Sequence, residues 1–316
     1  MEFVKDFLWK PGMKADEFIE KLSAVGFQST ELNRAANLIL RMKKESAKIY
    51  LTFPSNLATS GLRGFFAQLI KLKIPDIVIT TAGAIEEDIM RSIGERFLLG
   101  SFFTDDVALH EQGANRVGNI LIKNESYEKF EDKMQEILLN IYKSTSNYPL
   151  APSQLLHEIG KYLKDENSIL YQASKNNIPV FCPAIVDGAI GFQLYLFAQR
   201  HKEFSIDPIK DFSRSLSCVS IEEKKGAICL GGGTAKHFAI FSALINGGLD
   251  YAVYITSSHF ATGSVGGATT QEAKSWGKIK ESSDAVTVYG DASVLFPIIM
   301  TKVLEELHNE GAILHP

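Results

Sequence analysis

Six short apolar runs without polar alternation lie along the chain, and they end in glycine or small polar residues. They span residues 47–53, 74–83, 177–185, 226–233, 251–258 and 285–293. Runs of this kind, rich in β-branched residues, are typical of strands buried on both faces of a parallel sheet. Between them, residues 62–73 and 236–248 repeat apolar residues at helical spacing. This alternation predicts an α/β fold, with a doubly wound, mostly parallel sheet of the Rossmann-like type and helices on both faces.

Two further segments interrupt the alternation. Residues 12–45 and 126–165 each predict a pair of helices, and the polar stretch STSNYPL joins the second pair. Because sheet-like runs continue on both sides of the second segment, we interpret it as an insertion or cap. We therefore expect a single domain over residues 1–316, in which residues 1–46 form a helical N-terminal extension.

Composition and charge narrow the classes of function. Of the 316 residues, 45% are hydrophobic and 22% charged, which is ordinary for a globular enzyme. The net charge of −4 provides no basic field for nucleic acid or an anionic membrane. No signal-peptide core and no run of about 18 apolar residues is present. We expect a cytoplasmic protein that binds neither nucleic acid nor membrane.

The cysteines predict no metal site and no disulfide framework. Cys182, Cys218 and Cys229 are widely spaced, lie in apolar surroundings and form no CxxC pair. We interpret them as small buried side chains in a reducing compartment, and we expect no bound metal.

The loops that follow the predicted strands are the candidate site, because ligands of such sheets bind beyond the carboxyl ends of the strands. Five of the six predicted strand ends carry small residues together with an acid or a histidine. The segment GGGTAK is not a P-loop, and it fails the pattern GxGxxG because Lys236 occupies the place of the last glycine. A glycine cluster that opens a helix still offers N–H groups to a phosphate, although it is also typical of a tight turn.

The acids near these strand ends have two interpretations each. Glu86, Glu87 and Asp88 are either ligand contacts or the acidic first turn of a helix. Asp187 and Asp291 are equally typical of helix caps. His237 is either a satisfied partner or a general base.

The segment QEAKSWGKIK, residues 271–280, places a tryptophan two residues before a lysine. Desolvation would lower the pKa of Lys278 and make its amine a nucleophile. Trp276 would supply an apolar wall or a π-face for a cation, and Glu272 would hold that cation. The alternative is an amphipathic surface segment in which Lys278 and Lys280 are both solvated.

A family resemblance decides between these alternatives. The segments SNLATSG, TTAGAIEED, NRVGNIL, PVFCPAIVDG, LGGGTAKH, GLDYAVYIT, EAKSWGKI and VYGDASVLFP occur in this order and resemble the deoxyhypusine synthase family from about residue 47 onward. The resemblance implies one NAD-binding domain, assembled as a homotetramer with active sites at subunit interfaces. It also implies transfer of an aminobutyl group from spermidine to one lysine of the translation initiation factor 5A precursor.

The resemblance assigns roles to individual residues. Lys278 matches the lysine that forms the covalent imine, and His237 matches the histidine that takes a proton from spermidine. Glu86, Glu272 and Trp276 match residues of the polyamine pocket. The matches to NAD contacts are Ser55, Asn56, Leu57, Ala58, Thr59, Thr81, Ala82, Gly83, Glu87, Asp187, Gly232, Asp291 and Ala292.

Three positions depart from the better-known eukaryotic pattern. Phe192, Thr262 and Val265 stand where aspartates are expected, as in archaeal-like members of the family. A site with fewer carboxylates binds a polycation less tightly, so the donor could be an amine other than spermidine. The alternatives are a homospermidine synthase-type transferase that uses a free amine or another polyamine, and an inactive NAD-binding paralogue that serves as a regulatory subunit. The presence of Lys278, His237 and Glu272 together argues against the inactive paralogue.

Overall fold

The structure is a computed structural model that describes residues 3–313. Within this range the strands are β1 (Lys48–Thr52), β2 (Ile77–Ile79), β3 (Leu98–Leu99), β4 (Ala114–Val117), β5 (Ile120–Lys123), β6 (Val180–Phe181), β7 (Lys225–Leu230), β8 (Leu249–Thr256) and β9 (Ile279–Tyr289). The α-helices are α1 (Ala15–Lys21), α2 (Gln28–Lys44), α3 (Ser55–Leu57), α4 (Arg63–Lys71), α5 (Ala82–Ser92), α6 (Asp106–Glu111), α7 (Asn124–Ser144), α8 (Pro152–Tyr162), α9 (Ile169–Asn176), α10 (Ala189–Arg200), α11 (Pro208–Ser217), α12 (Thr234–Ile245), α13 (Thr270–Ser275) and α14 (Ala292–Asn309).

The chain forms two compact units. The first contains the residues up to Phe53, the segment Ile74–Ile79 and the residues from Ser215 onward. The second contains Pro54–Lys73 and Thr80–Arg214. The single domain expected from the sequence, with its N-terminal extension, stays a prediction. Across residues 3–313, no helix combines the length and the apolar character that crossing a membrane requires.

The first unit is built on a parallel sheet in which the strand order is β2-β1-β7-β8-β9. From β1 the chain continues to β2 on one side, and β7, β8 and β9 follow on the other side. The order therefore reverses between β1 and β7, and a crevice for ligands opens at the carboxyl ends of strands at such a reversal.

Helices of the first unit pack along this sheet. Helices α2 and α14 pack on each other, with α2 also against β9 and α14 also against β8. Helix α12 packs on β7, β1 and β2. The predicted α/β fold with a mostly parallel sheet is confirmed, and each of the six apolar runs contains a strand.

The second unit is mainly helical and contains β6 together with a three-stranded antiparallel sheet of order β3-β5-β4. The N–H of Thr80 donates to the carbonyl of Phe181 in β6 at 3.0 Å. The hydrophobic pattern did not predict the antiparallel sheet, because its strands are two to four residues long and both residues of β3 are exposed. Strands this short have no resolvable periodicity.

Asp88, on α5, organises the interior of the second unit. Its carboxylate is fully buried and accepts hydrogen bonds from Nε of Arg63 at 2.5 Å and from Oγ of Ser168 at 2.8 Å. It also accepts from the N–H groups of Ile169 and Leu170 at 3.0 and 2.9 Å. Asp88 thereby caps the N-terminus of α9 and neutralises a buried guanidinium, so its role is structural.

We predict that Asp88→Asn lowers the free energy of unfolding by about 1.5–3 kcal/mol, because it replaces a buried charged acceptor by a neutral group while Asp165 still pairs with Arg63 at 2.7 Å. Urea unfolding measures this change. The control is Asp106→Asn, which breaks the surface pair of Asp106 with Arg116 (2.6 Å) and should cost about 0–1 kcal/mol. Equal effects of the two substitutions would contradict the role of Asp88.

Candidate active site

Lys278 lies at the junction of α13 and β9 in the first unit. The hydroxyl of Thr269 caps α13 and accepts a hydrogen bond from the N–H of Glu272 at 3.0 Å. The chain turns at Gly277, whose φ of +69° favours glycine. The N–H of Lys278 then donates to the carbonyl of Ala273 at 3.1 Å. This turn fixes the backbone of Lys278 against the end of α13.

The side chain of Lys278 is removed from solvent without a counter-charge. Lys278 is 9% exposed, and its Nζ lies 4.6 Å from the centroid of the Trp276 ring. Among the described residues, no carboxylate lies within ion-pairing distance of this nitrogen. Burial lowers the pKa of Lys278, so the neutral amine is more accessible than in an exposed lysine. Lys280, by contrast, pairs with Asp250 at 2.6 Å, and the solvated-surface alternative does not describe Lys278.

His237 belongs to the same electrostatic cluster. It lies in the first turn of α12, its ring is exposed, and it stacks on Phe241 with 5.9 Å between the ring centroids. Burial and then the positive charge of Lys278 lower the pKa of His237. A histidine whose pKa is lowered is neutral at neutral pH and is able to accept a proton.

We predict that Lys278→Met raises the pKa of His237, because the substitution removes the nearby positive charge that lowers it. Titration of ¹³C-labelled histidines by NMR, with His237→Gln for assignment, measures the change. Lys280→Met is the control and should leave the pKa of His237 unaltered, since Lys280 pairs with Asp250. If the pKa of His237 is unchanged in Lys278→Met, the charge of Lys278 does not act on His237.

Glu272 extends from the first turn of α13 and is exposed. Its negative charge acts on Lys236, where it partly opposes the effect of burial. Glu272, Lys278 and His237 are thus linked through their fields within one unit. This agrees with a cation site near Lys278, which stays a prediction.

Small residues bring two backbone segments into contact at the end of β7. Gly231 and Gly233 have φ values of +66° and +79°, and α12 begins directly after them. A Cβ atom at Gly232 would lie 2.0 Å from Cα of Gly266, so only glycine fits there. Asp291 caps α14 by accepting from the N–H of Ser293 at 2.8 Å, and Ala292 begins that helix.

The other predicted cofactor contacts lie in the second unit, where several of them touch. The N–H of Ser55 donates to Oγ1 of Thr81 at 3.0 Å, and a Cβ atom at Gly83 would lie 3.0 Å from Cβ of Ser55. Oγ1 of Thr59 donates to Oε2 of Glu87 at 2.5 Å. Of the remainder, Asn56 and Asp187 are exposed, and Leu57, Ala58 and Ala82 are buried.

Glu86 has a structural partner in the second unit. Its Oε1 accepts from the N–H of Ile190 at 2.9 Å, so the carboxylate lies at the N-terminus of α10. Burial raises the pKa of Glu86, and the charge of Asp187 adds to the shift. A Cβ atom at Gly188, whose φ is +141°, would lie 2.3 Å from Oε1 of Glu86. The acidic-first-turn interpretation is wrong for Glu86, which lies beyond the first turn of α5 and binds the N-terminus of α10 instead. The cap expected of Asp187 is not formed at that helix.

Glu87 is buried, and its pKa is raised. It is 8% exposed, and burial raises its pKa to about 7, with the charge of Glu86 adding to the effect. Its folded-state pKa is above the ordinary value, so its contribution to stability is complete at low pH and is lost as pH rises toward and through about 7.

We predict that the unfolding free energy of Glu87→Gln decreases less than that of the wild type between about pH 5 and about pH 8, because the variant holds no buried charge at high pH. Urea unfolding at several pH values tests this. Glu166→Gln is the control: Glu166 is exposed, and hydrogen bonding to Lys175 lowers its pKa. If the unfolding free energy of Glu87→Gln falls with pH as steeply as that of the wild type, Glu87 does not titrate in this range.

Comparison with known proteins assigns the family. The deoxyhypusine synthase family model matches residues 17–303. The chain belongs to the deoxyhypusine synthase family. Its members are transferases, so the chain is an enzyme of this class.

Individual relatives agree with this family. A Thermoplasma acidophilum protein named probable deoxyhypusine synthase is 37% identical over 303 residues, or 95% of this chain and 97% of the relative. The deoxyhypusine synthase of Kluyveromyces lactis is 35% identical, over 91% of this chain and 87% of the relative. A solved Entamoeba histolytica structure, provisionally named a deoxyhypusine synthase, is 29% identical with a TM-score of 0.69 and covers 96% of this chain and 97% of its own.

Two residues that depart from the eukaryotic deoxyhypusine synthase pattern lie in the loop that follows β8. The hydroxyl of Thr262 donates to the carbonyl of His259 at 3.0 Å. The carbonyl of Val265 accepts from Nζ of Lys236 at 2.9 Å. Phe192, in the second unit, is 54% exposed and stacks on Tyr195 with 6.3 Å between the ring centroids.

Lys236 was not among the predicted site residues of this deoxyhypusine synthase family member. Its ammonium is fully buried next to His237 in the chain. The available signal was a lysine in the last glycine position of an incomplete GxGxxG pattern, at the start of a mostly apolar helical segment.

Proposed function

We propose that the protein is a deoxyhypusine synthase that transfers the aminobutyl group of spermidine to one lysine of the translation initiation factor 5A precursor. Membership of the family supports this activity. The observation that carries the proposal is the amine of Lys278, buried beside Trp276, without a carboxylate partner among the described residues and with a lowered pKa. A transfer through an enzyme-bound imine requires an amine in this state.

The residues present fit a dinucleotide cofactor, NAD. The turn Gly231–Gly233 ends β7 at the reversal of strand order and opens α12, a helix of twelve residues whose first N–H groups suit a phosphate. Gly232 lies against the backbone of Gly266 and Gly83 against the side chain of Ser55, so both positions favour a residue without a side chain. The residues proposed to hold NAD are Ser55, Asn56, Leu57, Ala58, Thr59, Thr81, Ala82, Gly83, Glu87, Asp187, Gly232, Asp291 and Ala292. When bound, NAD would oxidise the spermidine carbon by two electrons and return them at the end, so the net reaction is a transfer.

In the proposed mechanism, His237 takes a proton from a spermidine nitrogen as its carbon is oxidised to the imine. The neutral amine of Lys278 then adds to that carbon. A bond forms from Nζ to the carbon, the bond from the carbon to the departing nitrogen breaks, and 1,3-diaminopropane leaves with a proton. The acceptor lysine next adds to the same carbon and displaces Nζ, which regenerates Lys278. Trp276, Glu272 and Glu86 would bind the butylamine cation, through the π-face of the ring and through the carboxylates.

The proposal extends to assembly and location. We propose a homo-oligomer, specifically a homotetramer with active sites at subunit interfaces, in the cytoplasm. Spermidine and the factor 5A precursor are its proposed partners.

A second candidate is an aminobutyl transferase of the homospermidine synthase type. Phe192, Thr262 and Val265 favour it, because none carries a carboxylate where a second ammonium of spermidine would be paired. The donor would then be a shorter polyamine or another amine, and the acceptor a free amine such as putrescine. Lys278 would have the same role in both reactions.

The decisive experiment incubates the enzyme with NAD and spermidine labelled in its butyl group, and adds either the factor precursor or putrescine. We predict label on the precursor and a borohydride-trapped adduct on Lys278. Lys278→Ala should lose both, because the substitution removes the amine that would exchange the imine, while some NADH formation from spermidine remains.

Lys280→Ala is the matched control, since Lys280 is two residues away and pairs with Asp250; it should keep the adduct. Label found only in a free polyamine would favour the second candidate. Normal transfer by Lys278→Ala would refute the covalent role.

A further inference from the structure

Lys236 is a buried cation that the proposed chemistry does not use. It is 0% exposed and lies in the first turn of α12. Its Nζ donates to the carbonyl of Val265 at 2.9 Å and to the carbonyl of Ala268 at 3.0 Å. Nζ also lies 3.8 Å from the centroid of the Tyr254 ring. The ammonium is therefore satisfied by two backbone carbonyls and a π-face, with no carboxylate hydrogen-bonded to it among residues 3–313.

Residues 264–268, here called the clamp loop, are held at several points. Lys236 binds the carbonyls of its second and last residues, Val265 and Ala268. Between them, the carbonyl of Gly266 accepts from Oγ1 of Thr256 at 2.9 Å. The backbone of Gly266 also touches Gly232, where a Cβ atom would lie 2.0 Å from it. The clamp loop is thus bound to α12, to β8 and to the turn after β7.

The clamp loop leads directly to the candidate nucleophile. Thr269, the next residue, caps α13, and Lys278 follows the end of that helix, with its N–H bound to Ala273. On the other side of the clamp, Lys236 is adjacent in sequence to His237. One side chain therefore ties the helix that carries the base to the segment that carries the nucleophile.

We propose that Lys236 is a positioning residue that sets the arrangement of His237 and Lys278 by clamping residues 264–268 to α12. This inference rests on the proposed roles of His237 and Lys278, but the clamp itself is testable without activity. An apolar side chain at position 236 would remove the donor that binds the buried carbonyl of Ala268 and the half-buried carbonyl of Val265, which destabilises the loop.

The charge on Lys236 makes the clamp sensitive to pH. Burial lowers the pKa of Lys236 to about 8; Cys229 and Glu272 oppose this shift, and Lys278 adds to it. The phenol of Tyr254, whose own pKa is raised by burial, faces the ammonium with its ring. As pH rises through about 8, Lys236 loses its proton and the clamp weakens.

The test compares Lys236→Met, Lys236→Arg and Lys225→Met in the full-length protein. Lys225 is the matched control: it is also 0% exposed, and its Nζ donates to the carbonyls of Ile221 and Glu223 at 3.1 and 2.7 Å, at the start of β7 rather than at its carboxyl end. Lys236→Arg keeps a permanent charge and donors for the carbonyls.

The first measurement is hydrogen exchange of the clamp-loop amides at about pH 7 and about pH 9, expressed as protection factors. In the wild type we expect protection to fall between the two pH values. In Lys236→Met the clamp-loop amides should lack protection at both pH values, and in Lys236→Arg they should keep it at both. Lys225→Met should behave as the wild type.

The second measurement is the rate at which the borohydride-trapped adduct forms on Lys278 from spermidine. Lys236→Met should lower the maximal rate of adduct formation by about 10- to 100-fold, since small displacements of reacting groups have effects of this size. The KM for spermidine should change little. Lys236→Arg should recover part of the loss. If the wild type itself forms no adduct, the proposed function fails, whereas the exchange data still decide the clamp.

Three results would overturn the clamp. The first is wild-type protection and adduct rate in Lys236→Met. The second is a loss in Lys225→Met equal to that in Lys236→Met. The third, which applies even where Lys236→Met does not fold, is the same fall in protection with pH in Lys236→Arg as in the wild type.

Discussion

The hydrogen-bond ladder between β1 and β7 is the constraint on which the first unit depends. It pairs five residues of each strand in parallel, from Lys48 with Lys225 to Thr52 with Cys229. The strands are far apart in sequence, because the whole of the second unit lies between them in the chain, so this pairing closes a long loop at an entropic cost. Once formed, it places the turn Gly231–Gly233 at the reversal of strand order. The pairing of β8 with β7 then places the clamp loop, which follows β8, at the same edge of the sheet. The backbone of Lys278 lies at the opposite edge, because it precedes β9 and its carbonyl accepts from the N–H of Leu249 at the start of β8 at 3.0 Å.

The protein holds buried charge in two opposite ways. Asp88 and Arg63 are paired and hydrogen-bonded, so their charges stabilise the packing of α5, α4 and α9. Lys278 is buried beside an aromatic ring, with no carboxylate paired to it among residues 3–313, and Glu87 is buried with one hydroxyl bonded to it. Burial lowers the pKa of Lys278 and raises that of Glu87. Uncompensated burial costs stability, and proteins retain it where a reaction or a ligand uses it. Lys236 lies between these cases, since backbone carbonyls satisfy its donors but no carboxylate is bonded to its charge.

Much of the fold was predictable from local pattern. The six apolar runs all contain strands, and the helices predicted over residues 62–73 and 236–248 correspond to α4 and α12. The sheet of β3, β5 and β4 was not predictable, because its strands are too short and too exposed to show a period. For the candidate site, residue types suggested Lys278, Trp276 and His237, and the structure adds the burial and the fields that relate them. It also shows Asp291 as a helix cap, which the sequence had left open, and it places Glu86 at the N-terminus of α10 and not in the first turn of α5.

The sequence by itself determined the α/β class, the family and the identity of the candidate nucleophile. Hydrophobic periodicity and glycine-rich strand ends are local properties, and the ordered blocks from SNLATSG to VYGDASVLFP are specific to one family. Only the tertiary structure decided which charges are compensated. Lys225, Lys236 and Lys278 are all lysines next to apolar residues in the sequence, yet the first holds the start of a strand, the second holds the clamp loop and the third has no bonded carboxylate among the described residues. The carbonyls and the ring that hold Lys236 come from segments distant in sequence, which the strand order brings together. The partners of Lys225 and Lys278 lie within four residues of them, and for these two lysines the tertiary structure decides the burial, which no local pattern encodes.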